Sequence, residues 1–281
     1  MGSTGCFKKY HFLKEIIPMR LHVIKIGGNI IDHEEILHAF IQNISSLKEP
    51  FMLIHGGGKI ATSLGNKMGI ESRMVDGRRI TDEASLDLIV MVYAGLINKK
   101  IVALFQSHQK NAIGLTGADA NLIPATKRHH PEIDFGFVGD LRPEEINRKF
   151  IIELIEKQIT LVIAPVTHNG KGQLLNTNAD TIASSLAIAL SEDFEVFLHF
   201  CFEKKGVLMD IEDEDSLIPE INKAYFSELK NKRMVSDGMI PKLENAFDAI
   251  SKGVKQVSIL HALNLRSFIE EENNDGTRIK N

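Results

Sequence analysis

Cysteine is almost missing from this chain: Cys6 and Cys201 are the only two, and they lie far apart. They make neither a disulfide framework nor a metal-ligand cluster, and this usage fits a reducing cytoplasm. No apolar run approaches the roughly 18 residues of a membrane-spanning helix. The stretch Phe12 to Ile17 is too short and too charged for the core of a signal peptide, so nothing is expected to anchor the chain to a membrane. Neither sign of charge dominates, with 33 Lys and Arg against 37 Asp and Glu and a formal net charge of -4. That leaves no broad basic field, so nucleic acid is not an expected partner and small-molecule chemistry is the better expectation. His129, His130, His199 and His261 lack ligand spacing, which argues against a metal centre, while His55 reads as a structural residue at a strand end. Two phosphate signatures are missing as well. No G-x-G-x-x-G follows the first strand and no G-x-x-x-x-G-K-[ST] occurs, which disfavours Rossmann-type dinucleotide binding and P-loop chemistry.

What the chain does have is core and glycine turns. Its 281 residues, 43% hydrophobic and 25% charged, suffice for one large α/β unit or two lobes. Lys25-Ile26-Gly27-Gly28 ends the apolar run Leu21 to Ile26, and His55-Gly56-Gly57-Gly58 ends the run Phe51 to Ile54. Both turns therefore open at strand C-termini of one parallel sheet and face one crevice. Backbone N–H groups at glycine approach anionic oxygen closely, and a following helix N-terminus adds partial positive charge, so a phosphate site beside Lys25 is plausible.

Along the rest of the chain, Lys59 to Lys67 reads as a helix stopped by Gly69, and Thr81-Asp82-Glu83 caps a helical region to Gln109 with a break at Gly95. Asn111 to Leu115 and Thr160 to Pro165 read as buried strands, Phe135 to Leu141 as a short hairpin or β-ribbon rather than core, and Pro143 as the start of a helix to Lys157. His168 to Gly172 is a hairpin turn, followed by a helix Thr181 to Leu190. Strand signal at Glu195 to Phe200, Val207-Leu208 and Gln256 to Leu260 alternates with helices Ile221 to Asn231, Met239 to Lys252 and Leu263 to Glu270. There is no internal repeat and no low-complexity linker. The alternation predicts a three-layer αβα sandwich on a mostly parallel sheet.

Polar groups at element ends are where such a scaffold displays chemistry. In order they are Val23-Ile24-Lys25-Ile26-Gly27-Gly28, Ile54-His55-Gly56-Gly57-Gly58, Val75-Asp76-Gly77-Arg78-Arg79-Ile80-Thr81, Leu175-Asn176-Thr177-Asn178-Ala179-Asp180, Ser236-Asp237-Gly238-Met239-Ile240-Pro241-Lys242 and Gly276-Thr277-Arg278-Ile279. Taken singly, each has a bland reading: Lys25 as a strand-end lysine, Asp180 as an N-cap, Arg79 as a surface ion-pair member, Asn176 and Asn178 as turn formers. Lys242 is the exception, because a cation in a first helical turn opposes the helix dipole. Taken together, from Leu21 to Ile279, the chain resembles the amino acid kinase family, and most closely its branch that phosphorylates N-acylated glutamate.

The resemblance implies ATP-dependent phosphorylation of the γ-carboxylate of N-acetyl-L-glutamate in arginine biosynthesis, by a cytoplasmic transferase. It implies Lys25 and Lys242 at the transferring phosphoryl group, with Asp180 holding both ammonium groups. Gly28, Gly56, Gly57, Arg79, Asn176 and Asn178 are implied on the substrate side. Gly27, Glu203, Gly206, Ser236, Asp237 and Met239 are implied on the nucleotide side, with Mg²⁺ carried in by ATP. The implied organisation is an N-terminal extension 1–20 whose order the sequence leaves open, a lobe 21–190 for acylglutamate and dimerisation, and a lobe 191–281 for nucleotide. A homodimer without arginine feedback is expected, since Met1 to Ile17 only weakly suggests the helix of the arginine-inhibited hexamers; Met19 is an alternative initiator.

One segment departs from the pattern. A Ser/Thr-Asp-Val-x-Gly element is replaced by Phe202-Glu203-Lys204-Lys205-Gly206, which puts Glu203 at the aspartate and Phe202 at the hydroxyl residue. Lys204 or Lys205 is a candidate phosphate contact. Two alternatives stay open: N-succinyl-L-glutamate as acceptor, with Arg78 or Lys59 meeting its extra carboxylate, and a catalytically inactive metabolite sensor. Carbamate, glutamate, aspartate and uridylate kinases of the same fold are disfavoured by Arg79 and Asn176 to Asp180.

Overall fold

Lys25 and the glycines after it end a strand near the middle of an eight-stranded sheet. The computed structural model describes residues 19–75, 78–210, 212–232, 234–235, 239–271 and 273–281. The extension 1–18, Asp76, Gly77, Ser236, Asp237, Gly238 and the side chain of Arg78 lie outside the described residues. The sheet is built from β1 (Arg20–Ile26), β2 (Phe51–His55), β3 (Ala112–Leu115), β4 (Thr160–Ile163), β5 (Glu195–Phe202), β6 (Glu220–Ile221), β7 (Gln256–His261) and β8 (Gly276–Ile279), in spatial order β6-β8-β7-β5-β1-β2-β4-β3. The six strands from β7 to β3 run parallel. β8 is antiparallel to β7, and β6 follows β8 in parallel.

Parallel strands are covered on both faces, so they read as continuous apolar runs, and β1 is buried throughout after Arg20. Its alternate residues feed two cores. Leu21 and Val23 join Ile182, Leu186 and Leu198 on one face, while Ile24 and Ile26 join Phe40, Ile41, Ile89 and Phe105 on the other. The first face carries α5 (Arg148–Glu156), α6 (Ala179–Leu190) and α8 (Ile240–Ser251); the second carries α2 (Glu34–Ser45) and α4 (Glu83–Ser107). This is the expected three-layer arrangement. The chain moves from β1 to β2 on one side and returns to β5 on the other, so the strand order reverses at β1. In open α/β sheets the crevice outside such a reversal is where ligands bind.

Several local expectations need correcting. The helix from Glu83 does not break at Gly95; Val90–Ile97 is wound as a π-helix and the rod continues as Asn98–Ser107. At 25 residues it is long and apolar enough to cross a membrane by length and composition, contrary to the sequence expectation. Its side chains Leu86, Ile89, Val92, Ile97, Ile101 and Phe105 are buried within the protein. Pro143 opens a 3₁₀ turn (Pro143–Glu145), and the helix proper starts after Asn147, whose side chain caps Phe150 N. Of the two readings of Phe135 to Leu141 the ribbon holds for its end, where Gly139–Leu141 pairs with Ala125–Lys127, and the segment does not fold on itself as a hairpin. Ile221 ends a strand, and the helix α7 (Lys223–Asn231) follows from the cap Asn222. Val207-Leu208 contributes an isolated bridge from Leu208 to Leu217 rather than a strand. The His168 to Gly172 turn joins the ribbon Val166–His168 and Leu174–Asn176, as the sequence suggests.

Candidate active site

Each group at the crevice is placed by the end of a strand or the start of a helix. After β1, Gly27 caps the short helix α1 (Gly28–Asp32); after β2, Gly57 caps α3 (Gly58–Lys67). Gly57 has φ +150, and a Cβ there would sit 2.3 Å from Ile97 Cδ1, so both backbone and space require glycine. Gly57→Ala is expected to destabilise the fold by about 1–3 kcal/mol, read as a lower urea midpoint at unchanged slope. At Gly28 and Gly56 the case differs: an added Cβ would meet only Asp32 Oδ2 at 3.6 Å or Ile26 O at 3.9 Å. Protein packing does not demand glycine at these two, and both line the crevice.

Lys25 is buried to 8% exposure on the α6 face of β1, and its Nζ lies 2.7 Å from Asp180 Oδ1. Asp180 is not the cap of its helix. Asn178 is: its Oδ1 accepts from Asp180 N at 2.8 Å and Thr181 N at 3.1 Å. The Asp180 carboxylate is thereby left in the first turn of α6, turned to Lys25. Lys242 sits in the first turn of α8, after Met239 and Pro241, where no acidic residue offsets it. Burial pulls its ammonium below the usual lysine range; Asp180 and Glu203 oppose that shift and Lys25 adds to it. Both lysines lie over the ring of Phe202 at the end of β5, with Nζ 4.1 Å (Lys242) and 5.3 Å (Lys25) from its centroid. The two ammonium tips are therefore no further apart than those two distances laid end to end.

Two cavities flank this point. One, of about 250 Å³, is lined by Lys25, Gly28, Gly56, Gly57, Arg79, Asn176, Asn178 and Asp180 among others. Arg79 Nη2 donates to Thr62 Oγ1 at 2.8 Å and Gly58 O at 3.2 Å, and Nη1 donates to Ser72 Oγ. These partners are neutral oxygens, so they fix the fork without neutralising it. Asn176 Nδ2 donates to Thr81 Oγ1 at 3.1 Å. The second cavity, of about 520 Å³, is lined by Phe202, Glu203, Gly206, Met239 and Lys242, with apolar walls from Leu208, Met234, Val235 and Ile259. A cavity with apolar walls and charged groups in its lining suits a purine joined to phosphates.

The structure thus brings together most of the residues picked from the sequence. Gly27 lines neither cavity but lies between them, since a Cβ there would fall 3.7 Å from Phe202 Cδ1 and 3.9 Å from Lys25 Nζ. Glu203 Oε1 accepts from Asn29 Nδ2 at 2.7 Å, linking the two sides of the crevice. Gly206 is a packing glycine as well, because a Cβ would meet Leu217 Cδ1 and Thr277 Oγ1 at 2.7 Å each. Ser236 and Asp237 lie outside the described residues. Lys204 lines the larger cavity and pairs with Glu214 at 3.8 Å, while Lys205 pairs with Asp215 of the acidic loop at 3.6 Å. Lys59, considered for an extra substrate carboxylate, bonds Asn29 Oδ1 and faces Asp32 Oδ2 at 3.8 Å.

Sequence reasoning passed over Tyr93, Arg128 and Thr177, which also line the smaller cavity. Thr177 sits inside a motif that was read for its asparagines. Arg128 comes from the loop region after Pro124 with no local pattern, and its Nε donates to Asp140 Oδ1 at 2.9 Å. Tyr93 enters from the π-helical part of α4, and burial raises its hydroxyl above the usual tyrosine range.

The sequence and the fold both resemble those of known proteins. The pattern of the amino acid kinase family matches residues 20–261. The acetylglutamate kinase of Cytophaga hutchinsonii is 52% identical over 261 residues, spanning 92% of this chain and 98% of the relative. That of Bacteroides thetaiotaomicron is 49% identical, with 93% and 98% covered. Among solved structures, the N-acetylglutamate synthase of Neisseria gonorrhoeae with coenzyme A and N-acetyl-glutamate superposes at TM-score 0.78 and 20% identity, covering 94% of this chain and 59% of that one. The carbamate kinase of Giardia does so at TM-score 0.62 and 14% identity, covering 94% and 99%.

Proposed function

The chain belongs to the amino acid kinase family, and we propose that it transfers the γ-phosphoryl group of ATP to the γ-carboxylate of N-acetyl-L-glutamate, an early step of arginine biosynthesis. The observation that carries this reading is the meeting of Lys25, Asp180 and Lys242 between a polar cavity and a purine-sized one. It is supported by acetylglutamate kinases that match the chain at about half identity over nearly their full length.

The chemistry asks for little besides placement and charge. A γ-carboxylate with an ordinary pKa near 4.3 is already ionised at neutral pH, so the nucleophile needs no general base. The barrier comes from bringing that anion in line with a triphosphate and neutralising the charge that spreads over the phosphoryl oxygens. Lys25 reaches the crevice from the acceptor side and Lys242 from the nucleotide side. Asp180, paired with Lys25 and acting on Lys242, keeps the two from separating. Backbone N–H groups of Gly28 and Gly57 donate to phosphate and γ-carboxylate oxygen. Arg79 receives the α-carboxylate in its fork, with Asn176 at the same end.

Among the described residues, no three His, Cys, Asp or Glu side chains group as a metal cage. Mg²⁺ suits such a site because it rides on phosphate oxygens, keeps several waters and neutralises phosphate charge. Glu203, whose charge acts on Lys242 and which lines the larger cavity together with Asp210, is a carboxylate that would meet its water shell.

We place acylglutamate binding and dimer contacts in 21–190 and nucleotide binding in 191–281. Met91 and Leu96 stand exposed on α4 and are where a homodimer through the N-terminal half would close. Light scattering with and without arginine tests the dimer and the absence of arginine feedback.

The deciding assay is coupled ADP release with N-acetylglutamate and, in parallel, N-succinylglutamate. Turnover with the acetyl compound is expected; faster turnover with the succinyl compound would move the acyl specificity, and release with neither would leave a sensor. Arg79→Lys is expected to raise KM for N-acetylglutamate about 10- to 100-fold while KM for ATP stays within about twofold, because a point charge cannot copy the fork. An equal change in both constants would remove Arg79 from the acceptor side.

A further inference from the structure

The unexplained residue at the crevice is Phe202. It is the last residue of β5, half-buried, and stands where the sequence pattern calls for a small hydroxyl side chain. A phenyl ring there could serve only as wall for the nucleotide cavity, since it lines that cavity. Its position says more. The Lys242 ammonium lies 4.1 Å from the ring centroid and that of Lys25 lies 5.3 Å from it, which places both within cation–π range of one ring. The ring edge also packs beside Gly27, the residue between the two cavities.

Two like charges set next to each other in a half-buried crevice repel, and Asp180 is one carboxylate already 2.7 Å from Lys25. Asp180 and Glu203 both act on Lys242, and a further carboxylate in direct contact with it would repel an incoming phosphate. The negative face of an aromatic ring attracts the cation without formal charge, so the ammonium stays available to phosphate oxygen. We propose that Phe202 is a positioning residue for phosphoryl transfer: its ring holds the Lys242 ammonium, with Lys25 within reach of the same ring, at the place the migrating phosphoryl group must cross.

This deepens the reading of the site as a kinase and rests on it. Phe202→Leu keeps an apolar filler and removes the π-face; Phe202→Tyr keeps the face. Two readouts serve: steady-state kinetics with N-acetylglutamate, and calorimetric ATP affinity across pH 7 to 10 without any acceptor. For Phe202→Leu, kcat/KM for ATP is expected to fall about 3- to 30-fold. The alkaline limb of both profiles is expected to move to lower pH, because losing the ring disfavours the charged form of Lys242. Phe202→Tyr is expected to stay within about twofold of the parent with the limb in place. If Phe202→Leu leaves the limb unmoved, or Phe202→Tyr falls with it, the ring is a wall and the proposal is wrong. A parent chain that binds ATP but releases no ADP with an acylated glutamate would overturn the kinase reading, while the pH dependence of ATP affinity would still judge Phe202.

Discussion

Lys25→Met is expected to lower kcat about 10²- to 10³-fold, the usual loss when one preorganised charge aimed at a developing anion is removed. Methionine keeps the length and apolar stem of the side chain within the α6-facing core and deletes only the ammonium. The loss should appear in kcat more than in KM for either substrate, because Lys25 acts where charge moves during transfer. A second effect follows from the ion pair. Asp180, about a third exposed, loses the partner 2.7 Å away, and water screens part of that loss, so stability should fall by only about 1 kcal/mol. Lys25→Met with Asp180→Asn should recover that stability, read as the urea midpoint, and recover none of the activity. A double variant regaining turnover would show Lys25 to be structural.

Acid is expected to weaken the fold well above the range where ordinary carboxylates titrate. His55, at the end of β2, is fully buried, and burial pulls its imidazole down to about 4. Its Nδ1 bonds Gly56 O at 2.8 Å and Asn98 Nδ2 donates to Nε2 at 3.3 Å, a pattern that suits the neutral Nδ1–H tautomer. Burial likewise lowers His22 and His199, stacked on each other across the neighbouring strands β1 and β5. Because the folded state resists protonation that an unfolded histidine accepts near pH 6.5, the contribution is fully present above 6.5 and lost as pH falls through 4. For His55 alone that is about 3 kcal/mol in all, of which about 2 is gone by pH 5. Urea unfolding at pH 7 and pH 5 should differ by at least that amount, and His55→Asn should shrink the difference. Coinciding midpoints would mean that the buried imidazoles carry no such linkage.

The readable parts of the molecule were those that local sequence decides. A buried parallel strand is a run of apolar residues ending at a turn, so β1, β2, β4 and β5 and the glycines after the first two were legible, and with them the crevice. Groups held by long-range contact were not. Arg128 reaches the cavity because Ala125–Lys127 pairs with Gly139–Leu141, a contact with no local signature. Tyr93 depends on the π-helical winding of α4, which no spacing rule announces. The motif Asn176 to Asp180 was found, yet the division of labour inside it, Asn178 as cap and Asp180 facing Lys25, depends on which side chain the helix start turns toward β1. Phe202 stood out as a departure from a pattern; its place under both lysines comes from β5 lying beside β1 in the sheet.

The most direct test of the central claim is a crystal structure of the chain with MgADP, aluminium fluoride and N-acetylglutamate. The account predicts one planar fluoride between the acceptor γ-carboxylate and the ADP β-phosphate, with Lys25 Nζ and Lys242 Nζ both within about 3 Å of its ligands and Asp180 still on Lys25. A structure in which either ammonium points away from that group, or the acylated glutamate binds elsewhere than beside Arg79, would contradict it.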